Sequence, residues 1–181
     1  DRCFGAVPDT VRSILDAGGR RPLPEDVLAG VDADVSTVVL VLVDGYGLDA
    51  WKRDRDRVET VGRLTERGTV TPLTTIYPSE TAAAITTLET GRLPCEHGRI
   101  GWHVFEPETD RTFRAFDGRV KSGTSGTTPP AAVRPDDEHG YAPESELPGE
   151  GIYPDLAERG IDAHRLQPFE EQDPGVTQHT Y

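Results

Sequence analysis

The run Thr37-Val38-Val39-Leu40-Val41-Leu42-Val43 constrains the fold more than any other stretch of the chain. After its threonine it is apolar without a break. A strand with one wet face alternates apolar and polar residues, so an unbroken run reads as a strand buried on both faces. That is the habit of a central parallel strand with helices above and below. The run has a strand's length and falls far short of what a bilayer requires.

What flanks the run supplies the matching alternation of elements. Residues 7–17 read as a helix, with Val7, Val11, Ile14 and Leu15 on one face and Gly18-Gly19 as its stop. Residues 24–28 read as a short helical turn. Residues 58–67 form a further helix, with Val58, Val61 and Leu64 facing inward and Gly68 ending it. Residues 69–76 are β-branched and read as a second strand, with Pro72 marking an edge or a bulge. The resulting order is helix, strand, helix, strand, helix. It predicts an α/β fold, a mainly parallel sheet flanked by helices.

The apolar run ends in Asp44-Gly45-Tyr46-Gly47. An acid at the carboxyl end of a buried parallel strand sits where open α/β sheets bind ligands. Its carboxylate is costly to desolvate unless something pairs it. Capping the helix that follows is the structural alternative for Asp44. The stretch from Tyr77 to Gly91 carries the second candidate. Pro78 breaks the preceding strand, Ser79 is a suitable N-cap, Ala82, Ala83 and Ala84 favour a helix, and Gly91 stops it. Thr81 then places a hydroxyl in the first turn. The helix N–H groups have no internal partner there, and the dipole favours an anion or an alkoxide. An ordinary helix that carries a threonine is the alternative.

Beyond Gly91 the pattern changes. Leu93-Pro94-Cys95-Glu96-His97-Gly98 reads as a loop. Residues 100–105 and 112–120 read as two strands of a β-hairpin, joined through Pro107-Glu108-Thr109-Asp110. Residues 121–150, rich in Gly, Ser, Thr, Pro and acid, read as a long loop or partly ordered insertion. Residues 152–160 return to a helix and 161–166 to a short strand. Residues 169–181 carry no assignment.

Composition narrows the partners. The 181 residues carry 32 acids against 19 lysines and arginines, a net charge of −13, and only Lys52 and Lys121 are lysine. Such a balance fits solubility in high salt, or an acidic surface of unrelated purpose. It offers no basic stripe for a nucleic-acid polymer. Cys3 and Cys95 are too few for a disulfide framework. No membrane segment or signal peptide is legible, so the expected location is cytoplasmic. The length implies one domain. The start at Asp1 and the end at Tyr181 read as those of a fragment or a processed chain.

Four segments in order, Leu42-Val43-Asp44-Gly45, Pro78-Ser79-Glu80-Thr81, Leu88-Glu89-Thr90-Gly91 and Leu93-Pro94-Cys95-Glu96-His97-Gly98, resemble the N-terminal part of the alkaline phosphatase superfamily. The likeness is greatest to its type I phosphodiesterase and nucleotide pyrophosphatase branch. It implies that residues 1–181 are the N-terminal portion of an alkaline phosphatase-like catalytic domain. It further implies that Asp44 is a metal ligand and that Thr81 is both nucleophile and metal ligand. Two divalent ions, zinc by resemblance, would serve hydrolysis of phosphodiester or pyrophosphate bonds in a small phosphate ester or nucleotide. The Thr-Gly and Pro…His-Gly segments shape the walls, which makes His97 structural.

The sequence departs from that pattern twice. Trp102 stands where the branch carries an asparagine that contacts the phosphoryl oxygen, so Trp102 becomes a candidate substrate contact through its N–H or its flat face. The later Asp and His ligands have no counterpart among His103, His139, His164 and His179 or the scattered acids. The expectation is that they lie beyond Tyr181 and that residues 1–181 alone are inactive. A phosphomutase of the same superfamily and a non-catalytic α/β phosphate-binding module are the competing readings. A sulfatase is disfavoured, since no Cys/Ser-x-Pro-x-Arg motif is present.

Overall fold

Helix α1 (Val7–Ile14) starts where its sequence allows it most easily. Pro8 lies in the first turn, where a missing N–H is no loss, Asp9 is in that turn, and Arg12 is in the last one. In the computed structural model, which describes residues 2–31, 34–106, 111–114 and 151–166, the chain divides into two units, Asp1–Thr75 and Ile76–Tyr181. The first unit contains α1, α2 (Leu48–Asp54), α3 (Glu59–Arg67) and 3-10 turns at Phe4–Ala6 and Glu25–Leu28. The second contains α4 (Thr81–Thr90), α5 (Pro94–His97), β1 (His103–Glu106), β2 (Arg111–Arg114) and α6 (Ile152–Ala157).

In the first unit, α1 ends three residues earlier than its apolar spacing predicts, because Asp16 turns to a positive φ of 54°. The apolar face expected of it is only half-buried. Pro8, Asp9 and Thr10 are the buried residues instead. Both polar side chains are satisfied. The Asp9 carboxylate accepts from the Arg21 N–H at 2.8 Å and from the Arg12 guanidinium at 3.1 Å. The Thr10 hydroxyl accepts from the Leu23 N–H at 2.8 Å and donates to the Ala6 carbonyl at 2.7 Å. These bonds fold the 17–23 loop back over the helix and bury Ala17 and Leu23. A Cβ on Gly19 would stand 2.3 Å from the Asp9 carbonyl oxygen, so the close approach requires glycine.

The 37–43 run is not a strand. Val39 is 80% exposed and Val41 74% exposed. Residues 69–76 likewise form no strand beyond an isolated parallel bridge between Cys3 and Thr74, in which the Phe4 N–H meets the Thr74 carbonyl at 2.8 Å. The physical reason lies in what such a strand needs. Its backbone must pair on both sides and its faces must be covered, and among the described residues no strand pairs with it. Residues 161–166 also lack strand structure. The sheet among the described residues is therefore antiparallel and two-stranded, and helices account for most of the regular structure.

In the second unit the Tyr77–Pro78 peptide is cis. α4 runs to a stop at Gly91, whose φ of 66° lets its N–H reach the Thr87 carbonyl at 2.9 Å. The buried side of α4 is built from small residues, Ala82, Ala83, Thr86, Thr87 and Thr90, together with Glu89. The Thr86 and Thr90 hydroxyls turn back onto the carbonyls of Ala82 and Thr86, which spares buried hydroxyls the cost of lacking a partner. α5 is a single turn. It opens with Pro94 and is held by the Glu96 carboxylate accepting from the Leu93 N–H at 2.7 Å.

The hairpin forms as predicted among the described residues, with its first strand starting three residues later than expected, at His103. Val104 faces Phe113 and His103 faces Arg114. Phe113 is fully buried and Val104 half-buried, while His103 and Phe105 point outward. α6 ends three residues before the predicted Gly160, and its Leu156 is buried. Residues 115–120, the 121–150 insertion and the 169–181 tail lie outside the described residues. Among the described residues no helix is long and apolar enough to cross a membrane.

Candidate active site

Asp44 lies in a turn of the first unit and is exposed. Gly45 takes a φ of 70°, a conformation that glycine adopts without a Cβ penalty. The helix-capping alternative for Asp44 is not adopted, because the N-cap of α2 is Gly47 and no side chain caps it. The loop beyond Asp44 is pinned instead through Tyr46. Its hydroxyl donates to Asp54 at 3.0 Å, and its ring meets Trp51 edge to face, centroids 6.4 Å apart. Arg53 adds two N–H bonds to the same carboxylate, at 2.7 and 3.0 Å. The Arg53 bond holds the Asp54 carboxyl below its ordinary value, against a smaller desolvation effect. Desolvation and then the Asp54 bond push the Tyr46 phenol up. No sequence signal marked this Tyr46–Asp54 tie.

Thr81 is the first residue of α4, in the second unit, and is half-buried. The cap is Glu80 rather than the expected Ser79. The Glu80 carboxylate accepts from the Ala82 N–H at 2.9 Å. A negative side chain therefore already meets one of the N–H groups expected to favour an anion beside Thr81.

Trp102 is 38% exposed in the turn before β1. His103, on the outer face of the hairpin, and His164 are both exposed. His139 and His179 lie outside the described residues. Thus Asp44 belongs to one unit, and Thr81 and Trp102 to the other.

His97, at the end of α5, is the most elaborately held titratable group near Thr81 in the sequence. It is 2% exposed. Its Nδ1 accepts from the Arg99 N–H at 3.0 Å, which fixes the ring hydrogen on Nε2. Nε2 lies 3.1 Å from the Thr87 hydroxyl oxygen, and the ring also interacts with the Ala83 backbone. Burial, reinforced by the Arg99 charge, lowers its pKa to about 4, so the imidazole is neutral. At the other end of α4, Glu89 pairs with Arg165 at 3.2 Å and takes a bond from Tyr153. Burial pushes the Glu89 carboxyl up despite both partners.

Among the described residues no group of three or more His, Cys, Asp and Glu side chains gathers to hold a metal ion. Asp44 and Thr81 offer two oxygen donors where an ion such as zinc takes about four ligands. The described donors therefore do not complete a metal centre.

No solved structure matches the chain. The family described as type I phosphodiesterase / nucleotide pyrophosphatase matches residues 38–167, more than half of the chain. The match takes in the apolar run, Asp44, Thr81, the His97 loop and Trp102. The chain belongs to the type I phosphodiesterase / nucleotide pyrophosphatase family of the alkaline phosphatase superfamily.

Proposed function

We propose that this chain supplies Thr81 as the nucleophile, and Asp44 and Thr81 as metal ligands, of an enzyme that hydrolyses phosphodiester or pyrophosphate bonds in small phosphate esters. The observation that carries the reading is the position of Thr81 as the first helical residue of α4, inside the family match. A threonine hydroxyl is a poor nucleophile at neutral pH, and a bound divalent metal, zinc by family resemblance, would lower its pKa. Two such ions, with further ligands beyond Asp44 and Thr81, belong to the reading.

The chain's own residues then have defined tasks. The Thr81 oxygen attacks phosphorus in line with the leaving oxygen, the bond from phosphorus to that oxygen breaks, the leaving group takes up a proton, and the remaining phosphoryl or nucleotidyl group stays on Thr81 as an ester that water later hydrolyses. The start of α4 carries a partial positive charge toward the developing phosphoryl charge. Because Glu80 already meets the Ala82 N–H, the neighbouring first-turn N–H groups carry most of that effect. Trp102 contributes an indole N–H to a phosphate oxygen, or its face to a base. Asp44 enters the reading as a ligand through its place in the exposed turn with Gly45, inside the family match.

The test is hydrolysis of bis(p-nitrophenyl) phosphate by the full-length protein. Thr81→Ala should lower kcat by at least about 10³-fold, the scale on which loss of a covalent nucleophile acts, with substrate binding kept. In the same preparations Asp44→Asn should lower the bound divalent metal. Unchanged turnover in Thr81→Ala removes the nucleophile, and unchanged metal content in Asp44→Asn removes the ligand. A protein that binds phosphate without turnover in either form is the non-catalytic module.

A further inference from the structure

We propose that His97 is a positioning residue for Thr81, acting through the first two turns of α4; the proposal rests on the reading of Thr81 as nucleophile. The geometry explains why α4 needs such a residue. The buried side chains of its first two turns are alanines and threonines, and the one long buried side chain, Glu89, acts at the far end of the helix. His97 reaches in instead. The ring interacts with the Ala83 backbone, two residues beyond Thr81, and its Nε2 meets the Thr87 hydroxyl one turn further on. Its Nδ1 accepts from the Arg99 N–H, so the ring is held from both sides. The backbone reverses between them at Gly98, whose φ of 73° suits a residue without a Cβ.

The arrangement excludes a proton-transfer role for His97. The Nδ1 lone pair is occupied by the Arg99 N–H, Nε2 carries the hydrogen, and the ring is 2% exposed. Its value lies in direction. A buried polar link that is fully satisfied specifies one placement of the elements it joins, where an apolar side chain of the same volume would tolerate several. The charges that bear on the ring are those of Arg99 and Glu96.

Two conservative variants separate the two halves of the link. Glutamine offers an N–H near the place of Nε2 but no acceptor at Nδ1, and asparagine offers the reverse. In the full-length protein, His97→Gln should keep kcat for bis(p-nitrophenyl) phosphate near the parent value. His97→Asn should lower it about ten- to hundredfold at unchanged KM, the cost of a small misplacement of a reacting group. Both should lower Tm. Amide hydrogen exchange at Ala82, Ala83 and Ala84 should accelerate in His97→Asn and not in His97→Gln. Equal loss of kcat in both variants, or full kcat in His97→Asn while Thr81→Ala is inactive, overturns the proposal and leaves the nucleophile reading intact. Retained turnover in Thr81→Ala overturns both.

Discussion

Single residues show where chemistry was legible and where it was not. The Asp44-Gly45 turn and the first-turn place of Thr81 both follow from neighbours one or two residues away, and both were readable. The structural character of His97 followed from the family resemblance, but its partners did not, since Thr87 lies on a preceding helix. Its burial has a consequence for pH. The folded value of about 4 lies below the ordinary 6.5. Between those values the unfolded chain binds the extra proton and the folded chain does not. The stability contribution is therefore complete above about pH 6.5 and is lost as pH falls toward 4, at most about 3 kcal/mol. The Arg99 charge deepens the effect and Glu96 opposes it. Urea unfolding of the parent and His97→Gln from pH 7 to pH 4 checks this. The parent should lose stability more steeply, and parallel curves would refute it.

Elements divide by how far away their partners are. α1, α3, α4 and α6 carry their start and stop signals within their own sequence, and each was legible to within a few residues. The hairpin was legible because its two strands are sequence neighbours. The 37–43 run does not form the strand that its apolarity predicts, since that apolarity records an environment that other segments must provide. At α4 even a sound prediction missed the cap. Ser79 is the better N-cap by residue type, but Glu80 takes the extended conformation with φ −94° and bonds the Ala82 N–H. Glu80→Ala should therefore destabilise the protein by about 1 kcal/mol, measured by thermal or urea unfolding, while Ser79→Ala changes little. The reverse order would restore Ser79 as the cap.

On the scale of the whole molecule, the sequence did not foretell which distant segments meet. The second unit gathers α4, α6 and residues 161–166 around a carboxylate and a guanidinium far apart in the chain. The Glu89 and Arg165 side chains are 9% and 16% exposed and 3.2 Å apart. Nothing in Leu88-Glu89-Thr90-Gly91 announced such a pair, because charge on a helix ordinarily signals a wet face. Its energetics follow from the direction of the Glu89 shift. Burial outweighs the attraction of Arg165 and the Tyr153 bond, so ionising this carboxyl in the folded state costs more than its partners return. Removing one member leaves the other charge buried, so Glu89→Ala should cost about 3–5 kcal/mol in urea unfolding. Replacing both with apolar side chains removes the desolvation cost together with the attraction. The double variant Glu89→Leu with Arg165→Met should therefore recover most of that loss. A double variant as unstable as Glu89→Ala would show that the pair's attraction exceeds its desolvation cost, and would overturn the argument.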